Sequence, residues 1–184
     1  VTVLLFLASA ATMAYAIQDQ AVKPFPLIET GEQVVAPPDG THLFYTKYIN
    51  ADGVVIVSSD AVPDAALIGA YRTILHLTSH RPDVLEAMLQ HKPRISIMGL
   101  SETASDLPEF GSSSDGQWGL GQMPDSSTSL VSVRGVCYPG NGEYRANFLL
   151  HEFVHAMQNL GWPTTDPQIE DEVWGAYVNA VKQG

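Results

Sequence analysis

His151, Glu152 and His155 fall within the pentad His-Glu-Phe-Val-His, and their types and spacing suit metal chemistry. On a helix, residues i and i+4 lie about 40° apart around the axis and about 6 Å apart along it. Both imidazoles can therefore reach one ion from the same face. Glu152 falls between them and projects beside that ion, where it can take a proton from a water activated by the metal. Two histidine ligands and a carboxylate general base are the parts of a zinc peptidase. The competing reading is a core helix that carries polar residues incidentally.

The elements around the pentad favour a helix that can hold such a site. No Pro or Gly interrupts the chain between Gly142 and Gly161. Glu143 suits a first turn, and Gly161 followed by Trp162-Pro163 predicts a stop. Leu149, Leu150, Phe153, Val154, Met157 and Leu160 make one wide apolar face; Tyr144, Phe148, His151, Glu152 and His155 fall on another. A helix apolar on most sides is expected to be buried. Two histidines and a glutamate inside it are costly unless paired, and a metal ion resolves that cost.

The rest of the chain reads as a frame of short strands and helices. His42–Asn50 is a strand or short irregular element, Asp52-Gly53 a turn, and Val54–Val57 a buried strand. Pro63 opens a helix to about Ser79, with Leu67, Tyr71, Ile74, Leu75 and Thr78 at helical spacing. Arg81-Pro82-Asp83 starts a second helix, and Arg94–Met98 alternates like a strand. Residues 101–130, rich in Ser, Gly, Asp and Pro, read as a long loop. Val131–Arg134 suits a short strand, and a last helix is expected around Glu170–Lys182. The fold class is α+β, with the metal helix beneath a small mixed sheet.

Composition sets the class of partner. With 45% hydrophobic and 16% charged residues the chain is globular. A net charge of −11 without any basic run excludes a nucleic-acid partner, because such a surface repels a phosphate backbone. Residues 1–16 are an apolar run ending in Ala14-Tyr15-Ala16, the pattern of a signal-peptidase site. The run is too short to span a membrane, and no second long apolar stretch follows. Without an initiator Met or a basic start it reads as part of a signal peptide, so the chain is expected to be secreted. Residues 17–41, with Lys23-Pro-Phe-Pro26 and Ala36-Pro-Pro-Asp-Gly40, form a Pro-rich N-terminal arm. Residues 42–184 are then the domain proper. Cys137 is the only cysteine and has no partner for an internal disulfide.

Other chemistry-bearing residues carry weaker signals. His76 and His80 are also i, i+4, but no carboxylate lies between them, and a helix C-terminus favours histidine there in any case. His91 is another helix-end residue, and His42 fits no pattern. Trp118 could line a cleft or anchor its loop. Glu143 and Arg145 suit a cap and a surface charge.

A resemblance adds to this reading. Phe148-Leu-Leu-His-Glu-Phe-Val-His-Ala-Met157 resembles the active-site helix of gluzincin peptidases, especially the fold of the anthrax lethal factor catalytic domain. The segments Tyr45–Asp60, Val62–Leu67, Arg81–Asp83, Ile95–Met98, Asp106–Glu109 and Cys137–Gly140 are similar to a family of secreted or surface-associated proteins with that fold, of mostly unassigned substrate. The likeness spans about residues 42–184. Only the H-E-x-x-H piece is specific for zinc peptidases. The resemblance implies a zincin-like fold, zinc ligands at His151 and His155, Glu152 as general base, and a peptide or protein substrate. Gluzincins take a third ligand from a glutamate on a later helix. Glu172 is one candidate; the other is a residue beyond Gly184, in which case the sequence is a fragment of a longer chain. The stretch Arg134-Gly-Val-Cys137 departs from the family, where a partner cysteine is expected. Three classes of function stay open: a zinc hydrolase, an inactive zinc-binding module, and a structural protein with a chance motif.

Overall fold

The computed structural model describes residues 26–110, 119–120, 127–141 and 147–183, with only the backbone given for 119–120. The apolar run at residues 1–16, the start of the arm, Trp118, Glu143 and Arg145 lie outside the described residues. Among the described residues, no helix is long and apolar enough to cross a membrane.

The sheet begins with a hairpin. β1 (Lys47–Ala51) and β2 (Val54–Ser58) pair antiparallel, with Ala51 opposite Val54. Only Asp52 and Gly53 connect them, at φ 49° and 96°. Positive φ at both positions makes the tight turn whose twist matches a hairpin, and Asp-Gly is a preferred pair there. Asn50 reinforces it, its Oδ1 accepting from the Gly53 N–H at 2.7 Å.

Two helices then carry the chain back. α1 (Asp64–Thr78) follows Pro63, and α2 (Pro82–Leu89) starts on Pro82, whose missing N–H costs nothing in a first turn. β3 (Arg94–Met98) returns parallel to β2, and β5 (Thr128–Ser132) lies parallel to β3. β4 (Gly119–Leu120) pairs antiparallel with β5 at the sheet edge, so the order is β1-β2-β3-β5-β4. The mixed sheet with helices makes the fold α+β, as expected.

Pleat alternation sorts the strands onto two faces. Ile49, Ile56, Ile95, Ile97 and Val131 point into the main core, which they form with Leu67, Ile74, Val84, Met88, Leu149 and Phe153 from the helices. On the opposite face, Met98 and Leu130 pack under Ala104, Leu107 and Phe110. Tyr45, Tyr48, Val55 and Val57 pack there with Val35 and Phe44. The arm is therefore tied down: Val35 bridges Tyr48, and Asn50 Nδ2 donates to the Ile28 carbonyl at 3.0 Å.

Several expectations need correction. The stretch read as a loop over 101–130 contains ordered parts. Residues 104–106 form a 3-10 turn inside a Thr103/Asp106 capping box, and Thr128 already belongs to β5. The strand expected over Val131–Arg134 is β5 shifted upstream, and 133–135 turn into 3-10 helix. Both faces of the sheet are covered, so the polar half of the pattern in 94–98 and 128–132 is buried too and gives no surface signal. The last helix, α5 (Ile169–Gln183), buries none of its residues. Val173, Trp174, Tyr177 and Val181 are 54–65% exposed, because among the described residues no element packs along them.

Candidate metal centre

The pentad lies on α3 (Phe148–Ala156). The helix starts at Phe148, where Asn147 caps it: its side-chain oxygen accepts from the Leu150 N–H at 3.0 Å. Such a cap is worth about 1 kcal/mol. Leu149, Phe153, Ala156, Met157 and Leu160 are buried, and fully burying a side chain like Phe153 stabilises by about 1.5–3 kcal/mol. This stripe fixes the rotation of α3, and with it the direction in which residues 151, 152 and 155 point.

The helix does not stop at Gly161. It widens into a single π-turn over Met157–Gly161 and runs on as α4 (Trp162–Thr165). π-bulges often sit at functional positions, and this one follows the second histidine by two residues. Pro163 falls in the first turn of α4, where the lack of an N–H is tolerated. Gly161 serves close packing, not termination. A Cβ there would meet Val84 Cγ1 at 2.5 Å, Val84 O at 3.0 Å and Met88 Cγ at 3.1 Å, all on α2.

The two imidazoles converge. His151 Nε2 and His155 Nε2 are 3.2 Å apart, with the rings perpendicular and their centroids 4.7 Å apart. Two nitrogens at 2.0–2.1 Å from a tetrahedral zinc ion lie about 3.3 Å apart, so the pair is spaced for one ion. His155 Nδ1 faces Gln158 Oε1 at 3.1 Å. Glu152 brings a carboxylate oxygen to the same place. The three ligand atoms lie within 4.8 Å of one another, and this is the one such group of three or more among the described residues. The donor set of two imidazoles and a carboxylate suits zinc.

Burial differs from the expectation for a helix apolar on most sides. Neither imidazole is buried, whereas Glu152 is 7% exposed. Phe148 and Leu150 are also open, at 49% and 42%. The helix packs on one side only, so the desolvation argument holds for Glu152 alone. Its burial pushes the carboxyl pKa up from the ordinary carboxylate range, while positive charge on His151 and His155 pulls it down.

The remaining candidates lie elsewhere. Glu172 is exposed in the first turn of α5 and outside the group. His76 and His80 are exposed at the end of α1, their rings 6.4 Å apart. His42 and His91 are exposed, and His42 Nδ1 accepts from the Phe44 N–H at 3.2 Å. Cys137 is an exposed free thiol.

A buried polar network escaped the sequence reading. On the sheet face away from α3, Arg94 Nη2 pairs with Glu109 Oε1 at 2.6 Å and donates to Thr128 Oγ1 at 2.7 Å. Tyr45 donates its hydroxyl proton to Glu109 Oε2, and Ser96 Oγ is 3.1 Å from that hydroxyl. Burial first, and then the Glu109 charge, raises the Tyr45 pKa far above its usual value. The one available signal was a lone arginine alternating with apolar residues in 94–98. The network pins the segment that leaves β3 and takes no part in the metal group.

No family model matches this chain, and neither a curated protein nor a solved structure matches it.

Proposed function

We propose that the chain is a zinc metallopeptidase of zincin-like fold, with His151 and His155 as zinc ligands and Glu152 as the general base. One observation carries this reading: two imidazole nitrogens at the edge length of a zinc tetrahedron, with a buried carboxylate beside them. A bound zinc ion would supply Lewis acidity, lowering the pKa of water and polarising a peptide carbonyl. Glu152 takes the proton of the attacking water and later passes it to the leaving amine. Its burial suits both tasks, because a raised pKa makes a carboxylate a better base and its conjugate acid a usable donor. The substrate is a peptide or protein lying between α3 and the sheet edge. β4 runs beside α3 there, and an edge strand offers unpaired backbone groups to an extended chain. The Ala14-Tyr15-Ala16 signal supports an exported, extracellular setting.

A catalytically inactive zinc-binding module of the same fold is the second reading. The absence of a third ligand besides Glu152 among the described residues favours it.

Zinc content and peptide hydrolysis separate the two. The purified chain is dialysed against zinc, its metal counted by atomic absorption, and hydrolysis followed on a quenched-fluorescence peptide library. Retained zinc with hydrolysis that falls about 10²–10⁴-fold on Glu152→Gln supports the peptidase. Zinc lost on His155→Ala, but no hydrolysis, supports the module. A wild-type chain that retains no zinc sinks both.

A further inference from the structure

We infer that Gln158 is a positioning residue that presets the tautomer of His155, leaving its Nε2 lone pair free for a metal ion. The inference uses the metal reading for its affinity arm but not for its tautomer arm.

The geometry begins with helix direction. Side chains on a helix lean towards its N-terminus, so Gln158 leans back over His155, and His155 over His151. Residues three and four apart are neighbours on that surface. Gln158 is the second residue of the π-turn, three residues past His155. Its Oε1 lies 3.1 Å from His155 Nδ1. A carbonyl oxygen only accepts, so Nδ1 carries the proton and donates it to Oε1. A neutral imidazole holds one proton; His155 Nε2 is therefore a bare acceptor.

The second contact fixes the other ring. His155 Nε2 and His151 Nε2 are 3.2 Å apart, a distance that calls for one proton between them. With His155 Nε2 bare, the proton is on His151, whose Nε2–H donates to His155 Nε2. The pair of rings is thus asymmetric. His155 is already in the form a metal needs, while His151 holds a proton on the nitrogen that must ligate. Binding then requires a tautomer change at His151 only. Outer partners that orient a ligating histidine typically change metal affinity 10–100-fold.

The test uses the full chain, uniformly labelled with ¹⁵N and free of metal, at about pH 8, where ordinary imidazoles are neutral. Long-range ¹H–¹⁵N correlation reads which nitrogen of each ring is protonated; His151→Gln and His155→Gln variants assign the signals. The expected pattern is Nδ1–H for His155 and Nε2–H for His151, with His151 changing to Nδ1–H on adding zinc. Gln158→Leu removes the acceptor: His155 moves towards Nε2–H, and zinc affinity, measured by competition with a chromophoric chelator, falls about 10–100-fold. Gln158→Glu keeps an acceptor and restores both the Nδ1–H form and the affinity. An unchanged circular dichroism spectrum for Gln158→Leu separates this from unfolding. Nε2–H for His155 in the metal-free wild type overturns the inference, because the amide would then present its NH₂ to the ring. Zinc affinity of Gln158→Leu within twofold of wild type overturns it as well. Failure of the wild type to bind zinc overturns the metal reading instead, and the metal-free tautomer still decides the role of Gln158.

Discussion

Substituting Gly161 by Ala tests whether α2 presses on the π-turn that follows α3. At an open helical position the change stabilises by up to about 1 kcal/mol, because glycine loses more backbone entropy on folding. At Gly161 the added methyl meets Val84 Cγ1 at 2.5 Å, and something must shift. Rotation of the valine does not relieve it, since the Val84 carbonyl oxygen lies 3.0 Å away and is held in α2. Val84 and Met88 are both fully buried in the main core, so α2 has no room to retreat. Overpacking of this kind costs about 1–3 kcal/mol. Set against an entropic gain of about 1 kcal/mol, the net loss should be up to about 2 kcal/mol. Urea unfolding followed at 222 nm measures it as a lower midpoint at unchanged slope. Gly175→Ala on α5 is the internal control, because a Cβ there has nothing within 4 Å. It should raise helicity without loss of stability. If Gly161→Ala stabilises the chain as Gly175→Ala does, the close approach of α2 to the π-turn is wrong.

Glu109→Ala removes the carboxylate from Arg94, whose side chain is only 6% exposed, and should cost about 3–5 kcal/mol in urea unfolding. The double variant Arg94→Met with Glu109→Leu should lose less than that single change; a larger loss would show that the pair itself, not the buried guanidinium left behind, sets the cost. Tyr45 gives a pH dependence. Its folded pKa lies above the unfolded value of about 10, so above that pH the unfolded chain has released a proton that the folded chain keeps. Fewer protons on the unfolded state means stability falls as pH rises, by up to about 1.4 kcal/mol per unit. Tyr45→Phe should flatten that fall between pH 10 and 11, and an equally steep fall in the variant would place its origin elsewhere. Trp174→Ala, at a side chain 65% exposed on α5, should change global stability by less than about 0.5 kcal/mol. A loss above 2 kcal/mol would mean that α5 packs against the body.

What could be read from the sequence was local. The Asp52-Gly53 turn, the starts at Pro63 and Pro82 and the i, i+4 histidines each depend on residues within one turn of one another. The buried run Val54–Val57 announced itself by β-branched content. The features that escaped depend on distant partners. Arg94 meets Glu109 only because the segment after β3 folds back across the sheet, and no period marks that return. Gly161 looked like a terminator because glycine does end helices; its actual use is set by Val84, seventy-seven residues earlier. The exposure of Val173, Trp174, Tyr177 and Val181 on α5 likewise depends on what lies opposite the helix, which periodicity does not report.

These distant contacts bear on the site itself. The buried stripe of α3 sets where His151 and Glu152 point, but the orientation of the His155 ring also depends on Gln158, which belongs to the π-turn. The π-turn ends on Gly161, where a Cβ would run into Val84 and Met88 of α2. α2 in turn joins the main core through Val84 and Met88. His155 is therefore referenced to the core by two routes, through Phe153 and Met157 on its own helical run and through α2 at the turn. A helix that continued as a regular α-helix past Met157 would shift the residues that follow by one place. Gly161 would then leave its contact with Val84, and Gln158 would keep its place on the helix surface but lose the register that α2 enforces. The π-turn is the piece that lets one continuous helical run satisfy both the packing at α2 and the geometry at His155.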